Sequence, residues 1–172
     1  MLLREYITTA IRGYLNEQQE YNLIKAEKFK DILLDLATLD LEDSQVRYPK
    51  IEGRNQSYLL GGNNYDLYLL DRDSLPSVGP FEIFIMNDDE DVIGFILGTK
   101  NNQMISFNLI HIIEEYRGSG IGTDIYEKFL NGGYVIKSDK EITDSTYSMY
   151  DRLLIYGYKP IIFDDGRVGL IK

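Results

Sequence analysis

The chain has 172 residues, 44% of them hydrophobic, with a net charge of −10, no cysteine and a single histidine. That size suits one hydrophobic core better than two, the missing cysteines exclude disulfides, thiolate zinc sites and a cysteine nucleophile, and one histidine excludes a multi-histidine metal centre. The charge would repel a nucleic-acid backbone and suits cationic partners such as amines or lysine-bearing peptides, although a solubilising surface gives the same sum. No apolar run approaches the ~20 residues of a membrane helix. Met1–Tyr14 alternates charged with apolar residues where a signal peptide would carry an apolar centre, so a cytoplasmic location is expected.

Apolar residues at Leu3, Ile7, Ala10, Ile11 and Tyr14 recur at helical spacing, and after the polar break Asn16–Glu20 a second series runs Ala26, Phe29, Leu33, Leu36. Both predict amphipathic helices. A loop around Pro49 and Gly53 follows. The strand-like runs Ser57–Leu60 and Tyr65–Asp71 then flank Gly61-Gly62-Asn63-Asn64, residues that tolerate the positive φ of hairpin turns. Phe81–Met86, Val92–Gly98 and Met104–Ile113 predict a three-strand meander. Beyond it come a helix over Thr123–Asn131, a short strand over Tyr134–Ser138, and a helix over Ser145–Tyr156 capped by Asp144 or Ser145. A closing hairpin, Lys159–Phe163 and Val168–Lys172, turns at Asp164-Asp165-Gly166. Strand, helix, strand after Met104 implies a crossover joining one parallel pair inside a mixed sheet.

The passage from strand to helix carries Arg117-Gly118-Ser119-Gly120-Ile121-Gly122-Thr123. A glycine-rich turn into a helix aims several backbone N–H groups into one concavity at the positive end of the helix dipole, a natural seat for phosphate. The stretch lacks the lysine that a P-loop needs. Its glycines run G-x-G-x-G behind a meander, where a dinucleotide-binding fold needs G-x-G-x-x-G and a parallel sheet.

The signature R/Q-x-x-G-x-G/A does fit Arg117 to Gly122, and with Glu115-Tyr116 before it and the apolar Ile112 five residues ahead of the arginine, the segment resembles the GNAT superfamily of acyl-CoA-dependent N-acetyltransferases. Ser138-Asp139 with Thr143, followed by Met149-Tyr150-Asp151-Arg152-Leu153, resembles a downstream pattern of a subset of that superfamily. The resemblance spans Phe81 to Lys172. It implies an α/β (α+β) domain with a mixed, mostly antiparallel twisted sheet, helices on both faces and an N-terminal helical pair. One such domain is expected over 1–172, divergent over 1–56 and cofactor-binding over 81–172.

Further implications concern the site. Acetyl-CoA is the implied cosubstrate, without metal: amides from Gly118 through Ser119, Gly120, Ile121 and Gly122 to Thr123 would hold its pyrophosphate, with Arg117 framing the loop. Its pantetheine arm would lie between the splayed strands Met104–Ile113 and Tyr134–Ser138, bonded to main-chain groups near Ile112 and Ile113. Thr143 falls where the family has a cofactor-side hydrogen bonder. Tyr150 falls where many members carry a tyrosine near the CoA sulfur, the implied proton donor, with Tyr147 and Tyr156 as alternatives. Where members often have a glutamate or histidine base, this chain has Asn108 and Ser106, which take no proton at neutral pH, so deprotonation is expected through water or an acid such as Glu114 or Glu115.

His111 is expected to pack or face solvent, since strand alternation sets it opposite Ser106, Asn108, Ile110 and Ile112. The acidic run Asp88-Asp89-Glu90-Asp91 lacks the alternating ligands of a calcium loop and reads as a solvated turn. The expected function is direct acetyl transfer to an amine acceptor, small molecule or protein, with no nucleic acid or membrane partner and a homodimer left open. The alternative is a catalytically silent module that keeps the fold for CoA binding or protein interaction.

Overall fold

The computed structural model describes residues 21–39 and 46–172, so the helix expected over Leu3–Tyr14 lies outside the described residues. The elements run β1 (Tyr21–Leu23), α1 (Ala26–Leu36), β2 (Gln56–Gly61), β3 (Asp66–Leu70), β4 (Val78–Met86), β5 (Val92–Asn101) and β6 (Met104–Ile112). A 3₁₀ turn (Glu114–Tyr116) leads to α2 (Ile121–Asn131), β7 (Val135–Lys137), α3 (Asp144–Ile155), β8 (Lys159–Phe163) and β9 (Val168–Ile171). Nine strands form one sheet in the order β1-β8-β9-β7-β6-β5-β4-β3-β2. Every neighbour pair is antiparallel except β6 with β7, the parallel pair that the crossover helix α2 joins.

Alternation along the strands sorts the apolar side chains onto two faces. Ile83 and Ile85 of β4 join a large core with Ile96, Phe107 and Ile136, whereas Phe84 between them joins Phe95 and Leu70 in a smaller one. Phe29 and Leu33 of α1, Ile125 and Phe129 of α2, and Leu153 of α3 all belong to the large core. Among the described residues, Val46 and Ile51 of the irregular segment before β2 pack on the smaller core.

Two local details depart from the sequence reading. Strand β1, only three residues long, exists through its pairing with β8, Tyr21 opposite Phe163, a contact that no local pattern announces. Helix α3 is capped by Thr143, whose Oγ1 accepts from the Thr146 N–H at 3.2 Å, so neither Asp144 nor Ser145 is the cap.

Strand β6 carries the feature that positions the site. Leu97 of β5 faces Leu109 and Gly98 faces Phe107, which leaves Asn108 as the extra residue of a β-bulge. A bulge shifts the side-chain alternation by one. Phe107 and Ile110 therefore share the large-core face, and Ser106 lies on the same face as His111, not opposite it as unbroken alternation would require. On its other edge β6 pairs with β7 only from Met104–Val135 to Ser106–Lys137, and past that point the two strands part.

Candidate active site

A cavity of about 810 Å³ opens where β6 and β7 separate. One wall is the start of α2, with Gly118, Gly120, Ile121, Gly122 and Thr123; a second is the start of α3, with Thr143, Ser145 and Met149. Ile110, Ile112 and Tyr126 line it on the large-core face, and Val46, Leu109 and His111 on the other, so the cavity reaches both faces through the split. Asn108 and Asp139 stand at the split itself.

The glycines differ in what the fold asks of them. Gly118 (φ +76°) and Gly120 (φ +90°) sit in the left-handed region, where a side chain is strained. Gly122 has no positive φ, and a Cβ built there would meet only Met149 Sδ at 3.7 Å and Ile112 Cδ1 at 3.9 Å, ordinary contacts. Glycine in a first helical turn without a steric reason forgoes helix stability of ~0.5–1 kcal/mol relative to alanine. The first intrahelical bond runs from the Asp124 N–H to the Gly120 carbonyl at 2.9 Å, so the helix does not use the amides of Ile121, Gly122 and Thr123. The wall is thus bare backbone with unspent N–H donors, a chemistry that suits an anion.

Arg117 donates from Nε to the Ile112 carbonyl at 2.7 Å, which occupies one main-chain group implied for the ligand. Ile113 is occupied too, its N–H donating to the Ile93 carbonyl at 2.9 Å, and it does not line the cavity. Ser119 turns its hydroxyl to the Tyr116 carbonyl at 2.6 Å. Thr143 lines the cavity, yet its hydroxyl is engaged in capping α3 and in bonds with Ser145 Oγ and Thr146 Oγ1 at 2.9 and 3.0 Å.

The tyrosines are arranged in a way that the helical pattern does not reveal. Tyr150 is 1% exposed and is not among the cavity-lining residues, whereas Tyr126 of α2 is. The two rings meet edge to face with centroids 5.7 Å apart, which sets the two phenols side by side. Burial pushes both phenols up from the usual value, Tyr126 well above it, and the charge of nearby Asp139 acts in the same direction on each. Of the alternatives, Tyr147 packs at the margin of the large core and Tyr156 is exposed at the far end of α3.

Among the acids, Glu114 and Glu115 are exposed on the 3₁₀ turn and do not line the cavity. Asp139 does line it, and its Oδ2 accepts from Asn108 Nδ2 at 3.4 Å across the split. Ser106 is buried away from the cavity. His111 packs at 7% exposure between Phe95 and Tyr48, with ring centroids at 5.7 and 5.2 Å, and it also contributes to the cavity wall. Tyr126 and Asp139 are the residues that sequence reasoning missed as site groups, and only the Ser138-Asp139 motif hinted at the second. Among the described residues no cluster of histidine and carboxylate side chains suits a metal.

Fold and cavity together define an α/β protein whose ligand space is walled by a glycine-rich helix start at a split in a mixed sheet. The chain belongs to the acetyltransferase (GNAT) family, whose model matches residues 43–131, a little over half its length. That match begins well before the Phe81 suggested by the motifs and ends before β7, leaving Ser138–Leu153 outside it. No curated protein matches the chain. Among solved structures it is similar to an acetyltransferase of the GNAT family from Staphylococcus aureus Mu50, at 16% identity over 88% of this chain and 98% of that one, TM-score 0.40. It is also similar to the GNAT family N-acetyltransferase YhbS from Escherichia coli in complex with CoA, at 19% identity over 48% of this chain and 47% of that one, TM-score 0.33.

Proposed function

We propose that the chain is a single GNAT domain that moves an acetyl group from acetyl-CoA directly to an amine. The observation that carries this reading is Gly122, a glycine that neither backbone conformation nor crowding requires, placed on the cavity wall just after the positive-φ glycines Gly118 and Gly120. The acyl donor supplies a thioester, activated toward attack by nitrogen. The chain's own groups supply the rest. Amides from Gly118 to Thr123 hold the pyrophosphate, with the α2 dipole adding to their field. Arg117 keeps the loop in shape through the Ile112 carbonyl. The split past Ser106–Lys137 gives the pantetheine arm a path between strands, bounded by Ile112 on one side and Met149 on the other. With no cysteine in the chain, transfer proceeds without an acyl-cysteine step.

Tyr150 is the proton source for the departing thiolate, and Tyr126 is the hydroxyl through which that proton reaches the cavity. A phenol held above its usual pKa stays protonated throughout the working range, so it always has a proton to share with the departing sulfur. Asn108 sets the polarity of the cavity opposite the tyrosines and orients Asp139. Calorimetry with CoA and a thiol-release assay with acetyl-CoA and a panel of amines test the two halves of the reading separately. CoA binding together with amine-dependent thiol release is expected. Binding without release from any amine would leave a CoA-binding module without transfer, and no binding would remove the reading.

A further inference from the structure

Asp139 presents its carboxylate where the cavity crosses the sheet, held at Oδ1 by the Lys140 N–H at 2.7 Å and met at Oδ2 by Nδ2 of Asn108, the extra residue of the β6 bulge, at 3.4 Å. On one side of that crossing lie the glycine wall and Tyr126; on the other, Val46 and Leu109 offer apolar surface beside the His111 ring, which packs edge to face with Tyr48. An anion, an apolar stretch and aromatic faces in that order match a cationic head on a hydrocarbon stem. The −10 net charge of the chain favours the approach of such a molecule.

We infer that Asp139, held by the Lys140 N–H and Asn108, receives the head group of a primary alkylammonium acceptor whose stem lies along Val46 and Leu109, and takes a proton from it. This rests on the acetyl-transfer reading above. The ammonium nitrogen gives one proton to the Asp139 carboxylate, which passes it to solvent. The nitrogen then bonds to the thioester carbonyl carbon, the carbon–sulfur bond breaks, and sulfur takes a proton from the tyrosine pair. The acylated nitrogen loses its second proton, which restores the pair. One proton is released for each acetyl group moved, and no further reactant is needed.

The test compares two nucleophiles in the whole protein: n-butylamine, cationic near neutral pH, and hydroxylamine, whose nitrogen is already neutral there. Asp139→Asn is expected to lower the ratio of their kcat/KM values, butylamine over hydroxylamine, by roughly 10- to 100-fold, the range for a lost charge-assisted hydrogen bond. Asp139→Glu, which keeps the charge, should hold the ratio far closer to the parent's and serves as the readout should Asp139→Asn not fold. CoA affinity by calorimetry reports whether each variant is folded around its donor site. An unchanged ratio in Asp139→Asn overturns the inference, as does a parent protein that acetylates hydroxylamine but not butylamine. A parent that binds CoA yet acetylates neither overturns the transfer reading, and the inference falls with it.

Discussion

The two sides of strand β6 obey different rules. Toward β5 and β4 the sheet is a long antiparallel ladder, unbroken between those two strands from Val78–Asn101 to Ile85–Gly94, with Phe84 and Phe95 filling the smaller core and Ile83 and Ile96 the larger. Toward β7 the pairing stops at Ser106–Lys137, and β7 itself is three residues long. Backbone groups that the first side uses for stability the second leaves to a cavity, and the glycines follow the same division. In the ladder, a Cβ on Gly98 would come within 2.3 Å of the Phe81 ring, so that glycine answers to packing. At the split, a Cβ on Gly122 meets nothing closer than 3.7 Å, so that glycine answers to something other than the fold. Stability and ligand contact are therefore expected to separate by location, and mutations can break or sharpen that separation.

The largest expected effect is on rate at the split. Tyr126→Phe and Tyr150→Phe keep both rings in the core and remove one hydroxyl of the adjacent pair. Each should lower kcat, by ~10²–10⁴-fold for loss of general-acid assistance, with KM little changed. Because the two hydroxyls act in series, the double variant should lose about as much as the more damaging single. Independent, multiplying losses would show two separate roles, and parental kcat in both variants, with chemistry rate-limiting, would remove the pair from the mechanism. Since burial holds both phenols above the usual tyrosine value, any loss of rate from their ionisation should begin at higher pH than the ~10 of a free tyrosine.

On the ladder side, Ile83→Ala deletes a fully buried side chain that sits between Leu69 and Ile96 on neighbouring strands. Unfolding free energy should drop by ~2–5 kcal/mol, read by denaturant titration. The CoA affinity of the folded fraction should stay within a few-fold of the parent, and a large loss of affinity would mean that the ladder and the split are mechanically one unit. A smaller effect, chiefly on binding, is expected for Gly120→Glu. It sets a like charge against the bound phosphates at the α2 N-terminus, and a misplaced charge of this kind costs several kcal/mol, or roughly 10²-fold in CoA affinity by calorimetry. The φ of +90° adds some strain to the free protein, so the measurement belongs below its unfolding temperature.

How much of this was legible beforehand follows the range of the interactions involved. Helix α1, the hairpins and the meander rest on contacts within a few residues, and periodicity placed them to within one to three residues at most ends. The loop Arg117–Thr123 was legible because its chemistry is local as well. Strand β1 was not, because it depends on Phe163 far along the chain. The bulge at Asn108 is set by the register of β5 against β6, which no reading of β6 alone contains, and with it went the faces of Ser106 and His111. Tyr150 fits its motif, but which tyrosine reaches the cavity depends on how α2 and α3 pack on each other. Asp139 reaches the cavity wall only once β6 and β7 are placed side by side, where it meets Asn108 across the split.

The smallest effect is the most discriminating, because Gly122→Ala should move stability and affinity in opposite directions. The residue lies in the first turn of α2 with ordinary φ, so alanine fits the backbone without strain. Its methyl would rest against Met149 Sδ and Ile112 Cδ1 at contact distance, adding a little burial. The reduced entropy of the unfolded chain then favours the variant by ~0.4–1 kcal/mol, a rise of a few degrees in Tm for a domain of this size. The same methyl projects into the cavity where the pyrophosphate would approach the amides, and CoA affinity should fall by about one order of magnitude for roughly 1.4 kcal/mol of lost contact. If the glycine serves only the fold, stability falls and affinity follows it. If it serves nothing, stability rises and affinity is unmoved. Only a wall kept bare for a ligand yields a more stable protein that binds CoA less well, and differential scanning calorimetry paired with titration calorimetry on one preparation separates the three.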